Sequence, residues 1–224
     1  MFKLFNFKKN KENELGFNYE ETLVLKFNKA RPLNKHINIL VITDIHGELK
    51  YKDSLKDALD IPETNYDLCA ILGDLTSSDY EEILKHIKRE KIVCLLGNHD
   101  SFDLIDKYNL KNINGKIIEI NGLKIAGIEG SYRYKDETFP SFNHEESITF
   151  LNKLEKADIL LSHDGPFIIN NKREVHDGLK GITYYLYKNE VAVNIHGHNH
   201  IQKDYFLKNG TRVIETYLID LIKL

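Results

Sequence analysis

The chain has 224 residues, 42% of them hydrophobic and 29% charged, with a formal net charge of −3. That length suffices for a large buried core, and the charge balance argues against a dedicated nucleic-acid binder, which would be basic. Two cysteines exclude a disulfide framework, and no apolar run reaches the ~18 residues of a membrane-spanning helix.

Residues 1–11 mix Phe2, Leu4, Phe5 and Phe7 with Lys3, Lys8 and Lys9. They lack the apolar core of a signal peptide, so the expected location is the cytoplasm. They read either as a loosely packed terminus or as a short basic-aromatic surface anchor. Residues 22–27 (TLVLKF) alternate and predict an edge strand, which Arg31-Pro32 breaks. From residue 37 the pattern becomes apolar run, polar turn, amphipathic stretch. It predicts strands over 37–42, 67–72 and 92–96, with helices over 49–59 and 80–87. Such alternation implies parallel strands joined by right-handed crossovers. Residues 116–120 and 123–128 flank Asn121-Gly122, a strong hairpin signal. A helix over 145–156, a strand over 159–162, a helix over 179–188 and a strand over 191–195 follow. Residues 202–207 and 212–217 form a last hairpin around Lys208-Asn209-Gly210. The expected fold is α/β: two mixed sheets packed face to face with helices outside. Residues 1–36 read as an N-terminal extension, partly edge strand, and residues 37–224 as one domain.

Polar chemistry follows five of these strands. The clusters are Asp44-Ile45-His46-Gly47, Gly73-Asp74, Gly97-Asn98-His99-Asp100, Ser162-His163-Asp164-Gly165 and His196-Gly197-His198-Asn199-His200. Taken alone each is weak: an Asp can cap a helix, an Asn can make a turn, and a His can sit hydrogen-bonded in a core. Together they put carboxylate, amide and imidazole groups at the strand ends where α/β sheets build sites. Cys69 and Cys94 lie in apolar runs and read as inert buried thiols, so no thiolate joins the set. The donor inventory suits manganese, iron, zinc, nickel or cobalt, with manganese favoured. Its size suits two divalent ions sharing a carboxylate.

This set resembles the calcineurin-like metallophosphoesterases, of the small prokaryotic type. Their pattern reads D-x-H, G-D, G-N-H-D/E, a later His, and G-H-x-H. Asp44-Ile45-His46, Gly73-Asp74, Gly97-Asn98-His99-Asp100, His163 and Gly197-His198-Asn199-His200 match it in order, over roughly residues 37–217. The resemblance implies a four-layer αββα sandwich. It implies that Asp44, His46 and His200 hold one metal, that Asn98, His163 and His198 hold the other, and that Asp74 bridges them. A hydroxide between the metals would attack phosphorus in line, with His99 as general acid and Asp100 orienting the His99 ring. The expected activity is hydrolysis of a small phosphate ester, a diester such as a nucleotide first. The alternatives are a phosphomonoesterase on nucleotide or sugar phosphates, a small nuclease, and a non-catalytic metal-binding scaffold. Protein phosphatases of this superfamily carry an Arg shortly after the second motif; here Leu75-Thr76-Ser77-Ser78 follows, which disfavours that activity.

For the substrate, the loop at 129–146 offers Arg133 for phosphate and Tyr134 for stacking on a base. His176 precedes a predicted helix and is a further candidate for phosphate contact. His196 reads as a supporting residue, and His36, His86 and His144 as surface residues. The sequence leaves the oligomeric state open.

Overall fold

The computed structural model describes residues 30–135, 138–168 and 178–224. The readings on residues 1–11, residues 22–27 and His176 lie outside them. In chain order the first half contains β1 (Asn38–Thr43), α1 (Asp53–Asp57), β2 (Leu68–Ile71), α2 (Ser77–His86), β3 (Ile92–Cys94), α3 (Leu104–Lys107) and β4 (Lys111–Asn112). The hairpin β5 (Ile117–Ile120) and β6 (Leu123–Ile128) follows, then the short pair β7 (Ser131–Tyr132) and β8 (Ser141–Phe142). The rest comprises α4 (His144–Leu151), β9 (Ile159–Ser162), α5 (Lys180–Lys188), β10 (Val193–His196), β11 (Lys203–Phe206), β12 (Arg212–Glu215) and β13 (Leu218–Lys223).

Two mixed sheets result, in the orders β13-β1-β2-β3-β4 and β11-β12-β10-β9-β6-β5. The central strands of both are parallel, and antiparallel β13, β5 and β11 lie at edges. The strands read as continuous apolar runs because both of their faces are covered. On β1, Ile39 and Val41 face a core between the sheets, shared with Leu161, Val193 and Ile195. Leu40 and Ile42 face the opposite way, into a second core with Tyr80 and Ile83 of α2 and Leu104 and Ile105 of α3. A third core joins Ala126, Ile128 and Leu160 to Leu151 of α4 and to Ile182 and Leu186 of α5. Three cores separate four layers, the αββα order expected.

Some elements differ from expectation. The helix read over 49–59 is a 3-10 turn at Glu48–Lys50 followed by the short α1, with extended backbone at Lys52. Residues 50–54 are exposed, so no apolar stripe supports a longer helix. Helix α2 starts at Ser77, three residues before the expected start, because the Thr76 amide donates to the Asp79 carboxylate at 2.8 Å. Strand β13, unexpected, pairs antiparallel with β1 along its whole length. The Asn121-Gly122 turn forms as read, with φ of 52° and 73°.

Candidate metal centre

Parallel strands of similar length put their carboxyl ends level. Ile42 of β1 pairs with Ile71 of β2, which pairs with Cys94 of β3, while Ser162 of β9 pairs with His196 of β10. The loops leaving these five strands therefore meet across the gap between the sheets, and backbone bonds stitch them together. The Asp44 amide donates to Gly73 O at 2.9 Å, the His46 amide to Asp74 O at 3.1 Å and the Gly197 amide to His163 O at 3.0 Å. Across the sheets, the His198 amide donates to Asp44 Oδ2 at 2.9 Å.

Seven side chains converge there. Asp44, His46 and His200 form one group whose candidate ligand atoms lie within 4.8 Å of one another, and Asp74, His163 and His198 form a second. His46 Nε2 is 3.2 Å from His200 Nε2, and His200 Nε2 is 3.5 Å from Asp44 Oδ1. In the second group, Asn98 Oδ1 is 3.0 Å from His163 Nε2. The Asp74 Oδ2 atom lies 3.7 Å from Nε2 of both His46 and His163, one in each group. Asp44, Asp74, Asn98, His163 and His198 are buried, whereas His46, His99 and His200 stand exposed at the mouth.

The donor set fits divalent cations on three observations. Asp44 Oδ1 is buried and accepts no hydrogen bond, a costly state for a carboxylate unless a cation faces it. His163 is fully buried, and its Nδ1 lies 2.8 Å from Leu72 O. A carbonyl only accepts, so Nδ1 carries the proton, and in the neutral ring that a metal ligand must be, the Nε2 lone pair would point at Asn98 Oδ1 and Asp74. Burial alone would lower the pKa of His163, but Asp74, Asp44, Asp100 and Asp164 outweigh it and the net direction is upward. The carboxylates thus favour positive charge at that position.

Backbone conformation follows the same logic. Asp44, His46, Asp74, His198 and His200 all have φ between 50° and 75°, a region that non-glycine residues occupy only under constraint. A Cβ at Gly97 would lie 2.1 Å from Asp74 Oδ1, and one at Gly197 would lie 2.3 Å from Asp44 Oδ2. Both motif glycines thus let backbone approach a carboxylate that a side chain would displace.

The reading of Asp100 needs correction. Asp100 does not orient the His99 ring. Its Oδ2 accepts from the amides of Gly97 at 2.7 Å and Asp74 at 2.9 Å, and its Oδ1 from the Leu75 amide at 3.0 Å. Burial pushes its pKa up to about 7 against the pull of the Gly97 amide. It locks the second motif onto the third. His99 stands at the mouth, its ring centroid 5.5 Å from that of His46, and its amide donates to Asp74 Oδ1 at 2.8 Å. The Arg133 guanidinium holds Glu146 at 2.9 and 3.0 Å and also bonds Ser141. Neighbouring Tyr134 packs at 5.5 Å on Phe139.

Other residues hold the loops without belonging to the sequence pattern. Asp79 Oδ2 accepts from Gly47 and Thr76, tying α2 to the first motif; the T-x-x-D spacing of a capping box was its signal. Asp164, beside His163, accepts from the Tyr132 and Gly165 amides. His196 is buried behind the centre, its ring against Gly165. His36 and His86 are exposed as read. His144 is half-buried rather than exposed: it stacks on Tyr132 at 4.5 Å and meets Phe167 edge-on at 5.1 Å.

A family model described as calcineurin-like phosphoesterase matches residues 37–202. An uncharacterized protein of Haemophilus influenzae is 27% identical over 168 residues, 58% of this chain and 71% of that one. Among solved structures, the phosphopantetheinyl hydrolase PptH of Mycobacterium tuberculosis superposes with a TM-score of 0.56 at 12% identity, covering 81% of this chain and 89% of its own. A Staphylococcus aureus protein provisionally assigned as a 5′-nucleotidase gives 0.53 at 17% identity, covering 85% of this chain and 51% of that one. At these identities the structural likeness establishes the fold alone. Among the described residues no helix is long and apolar enough to cross a membrane.

Proposed function

The chain belongs to the calcineurin-like phosphoesterase family, and from that premise we propose that it is a two-metal phosphodiesterase acting on a small phosphate diester such as a nucleotide. One observation supports the two-metal part of this reading: Asp74 Oδ2 sits 3.7 Å from an imidazole nitrogen of each ligand group, where a carboxylate shared by two ions would stand. Asp44, His46 and His200 would hold the first ion, and Asn98, His163 and His198 the second. Manganese is the first candidate, because oxygen and imidazole donors suit it. When bound, two such ions make hydroxide available near neutral pH and neutralise a phosphate that would otherwise repel it.

The chain's own groups do the rest. The buried floor of Asp44, Asp74, Asn98 and His163 excludes bulk water and fixes the donor geometry. His99, exposed at the mouth beside His46, is placed to give a proton to the departing oxygen. The large apolar side chains Tyr51, Phe102 and Ile201 are exposed, each on a loop that leaves a motif strand, where the organic part of an ester would rest.

The test is hydrolysis of bis-p-nitrophenyl phosphate and p-nitrophenyl phosphate by the purified chain with Mn²⁺. Faster turnover of the diester is expected, and D74A or N98A should abolish it. Faster turnover of the monoester would replace the diester reading with a monoesterase. Full activity in both variants would misplace the site. Replacing His99 by Asn should lower kcat by ~10²–10⁴-fold, and most for esters with poor leaving groups.

A further inference from the structure

The last motif, His198-Asn199-His200, holds two residues at positive φ, 75° at His198 and 56° at His200, and its His200 is exposed. Loops in this conformation relax unless neighbours hold them. We propose that Glu215 and Tyr217 are the positioning residues that hold it, setting the metal affinity of the centre through Asn199 and His200. The proposal rests on the two-metal reading above; neither residue belongs to the sequence pattern.

Strand β12 ends at Glu215, and the chain crosses from one sheet to the other through Thr216 and Tyr217 to enter β13. The crossing is pinned at both ends. The Thr216 amide donates to His196 O at 2.8 Å, and Leu218 pairs with Thr43, the residue before Asp44. The two flanking side chains therefore face the last motif from a fixed base. Glu215 is buried and its Oε1 accepts from Asn199 Nδ2 at 2.6 Å. Asn199 stands between the two histidines, so this bond fixes the backbone from which both imidazoles project. The Tyr217 ring stacks on the His200 ring, with centroids 5.0 Å apart and planes 14° from parallel. His200 is exposed, and a flat partner on one face restricts an imidazole that would otherwise sample several rotamers. Outer partners of this kind orient ligands and typically carry 10–100-fold of metal affinity.

The experiment titrates the metal-freed, full-length chain with Mn²⁺ by calorimetry, reading stoichiometry and dissociation constants. A thermal melt of each metal-free variant shows that it is folded. Y217L and E215L should weaken Mn²⁺ binding 10–100-fold. Y217F keeps the flat ring and E215Q keeps an acceptor for Asn199, so both should bind within about threefold of the parent. Excess Mn²⁺ should restore turnover in Y217L, and the metal-free melt separates this from a destabilised fold. Unchanged Mn²⁺ affinity in Y217L, or equal loss in Y217F and Y217L, overturns the Tyr217 role. If E215L fails to fold, E215Q alone decides for Glu215: a loss as large as that of Y217L shows that charge, not the bond to Asn199, is what matters there and overturns the stated role. A parent chain that binds no Mn²⁺ sinks the two-metal reading itself, whereas two sites of unchanged affinity in the parent and in every variant sink this inference alone.

Discussion

The donors of the centre are residues whose chemistry can be read one at a time, and that is why they were legible. Asp44, His46, Asp74, Asn98, His163, His198 and His200 each follow an apolar run, and the sheets bring those ends together. What could not be read was the partner of each supporting group. Asp100 is adjacent to His99 in sequence, yet its oxygens face three backbone amides that arrive from the 73–75 and 97 positions. That partnership depends on how two loops approach, and sequence adjacency carries no record of it. It leads to a prediction. Replacing Asp100 by Asn turns one acceptor into a donor facing backbone N–H groups, at a cost of roughly 1–3 kcal/mol in unfolding free energy. Denaturant unfolding would show the loss, and a pH–rate profile whose limbs stay in place would separate clamping from any role in proton transfer. Similarly, G97A should abolish Mn²⁺ binding in calorimetry, since its methyl would lie 2.1 Å from Asp74 Oδ1 and displace it.

Elements were legible where a local signal fixes them. Asn121-Gly122 defines a hairpin because both residues tolerate positive φ. Strand β9 keeps the boundaries read from its apolar run. Helix α4 starts at His144 after Asn143, whose side chain accepts from the Glu146 amide at 2.8 Å while Glu146 accepts from the Asn143 amide at 2.9 Å. N143A should therefore lower stability by ~1 kcal/mol, measurable as a shifted urea midpoint with an unchanged slope. The residue Arg133 reaches is the same Glu146, so Arg133 is tied to the start of α4. Strand β13 escaped notice because Leu218-Ile219-Asp220-Leu221-Ile222 lacks strict alternation. Its place is set by β1, which needs an antiparallel neighbour on that edge.

At the scale of the whole molecule, stability depends on groups that the fold keeps in one ionisation state. Burial lowers the pKa of His144 to about 4, with Lys180 adding to the effect, against an unfolded value of ~6.5. Between those values the unfolded chain binds more protons than the folded one. Stability is therefore full above pH ~6.5 and falls as pH drops toward 4. Thermal melts of the metal-free chain across that window should show a steeper decline than melts of H144F, which keeps the stack on Tyr132 without the titrating nitrogen. Ligand linkage acts on the centre in the opposite sense: Mn²⁺ at a hundred times its dissociation constant should add ~2.7 kcal/mol, visible as a raised melting temperature that a chelator reverses. The β1–β13 ladder has a consequence during biosynthesis. Among the described strands β1 leaves the ribosome first, and the strand that seals its free side follows all the others. Until then a nascent chain carries an open row of donors and acceptors, attractive to chaperones and to stray strands alike, and a chain cut short before Leu218 would leave that row open for good.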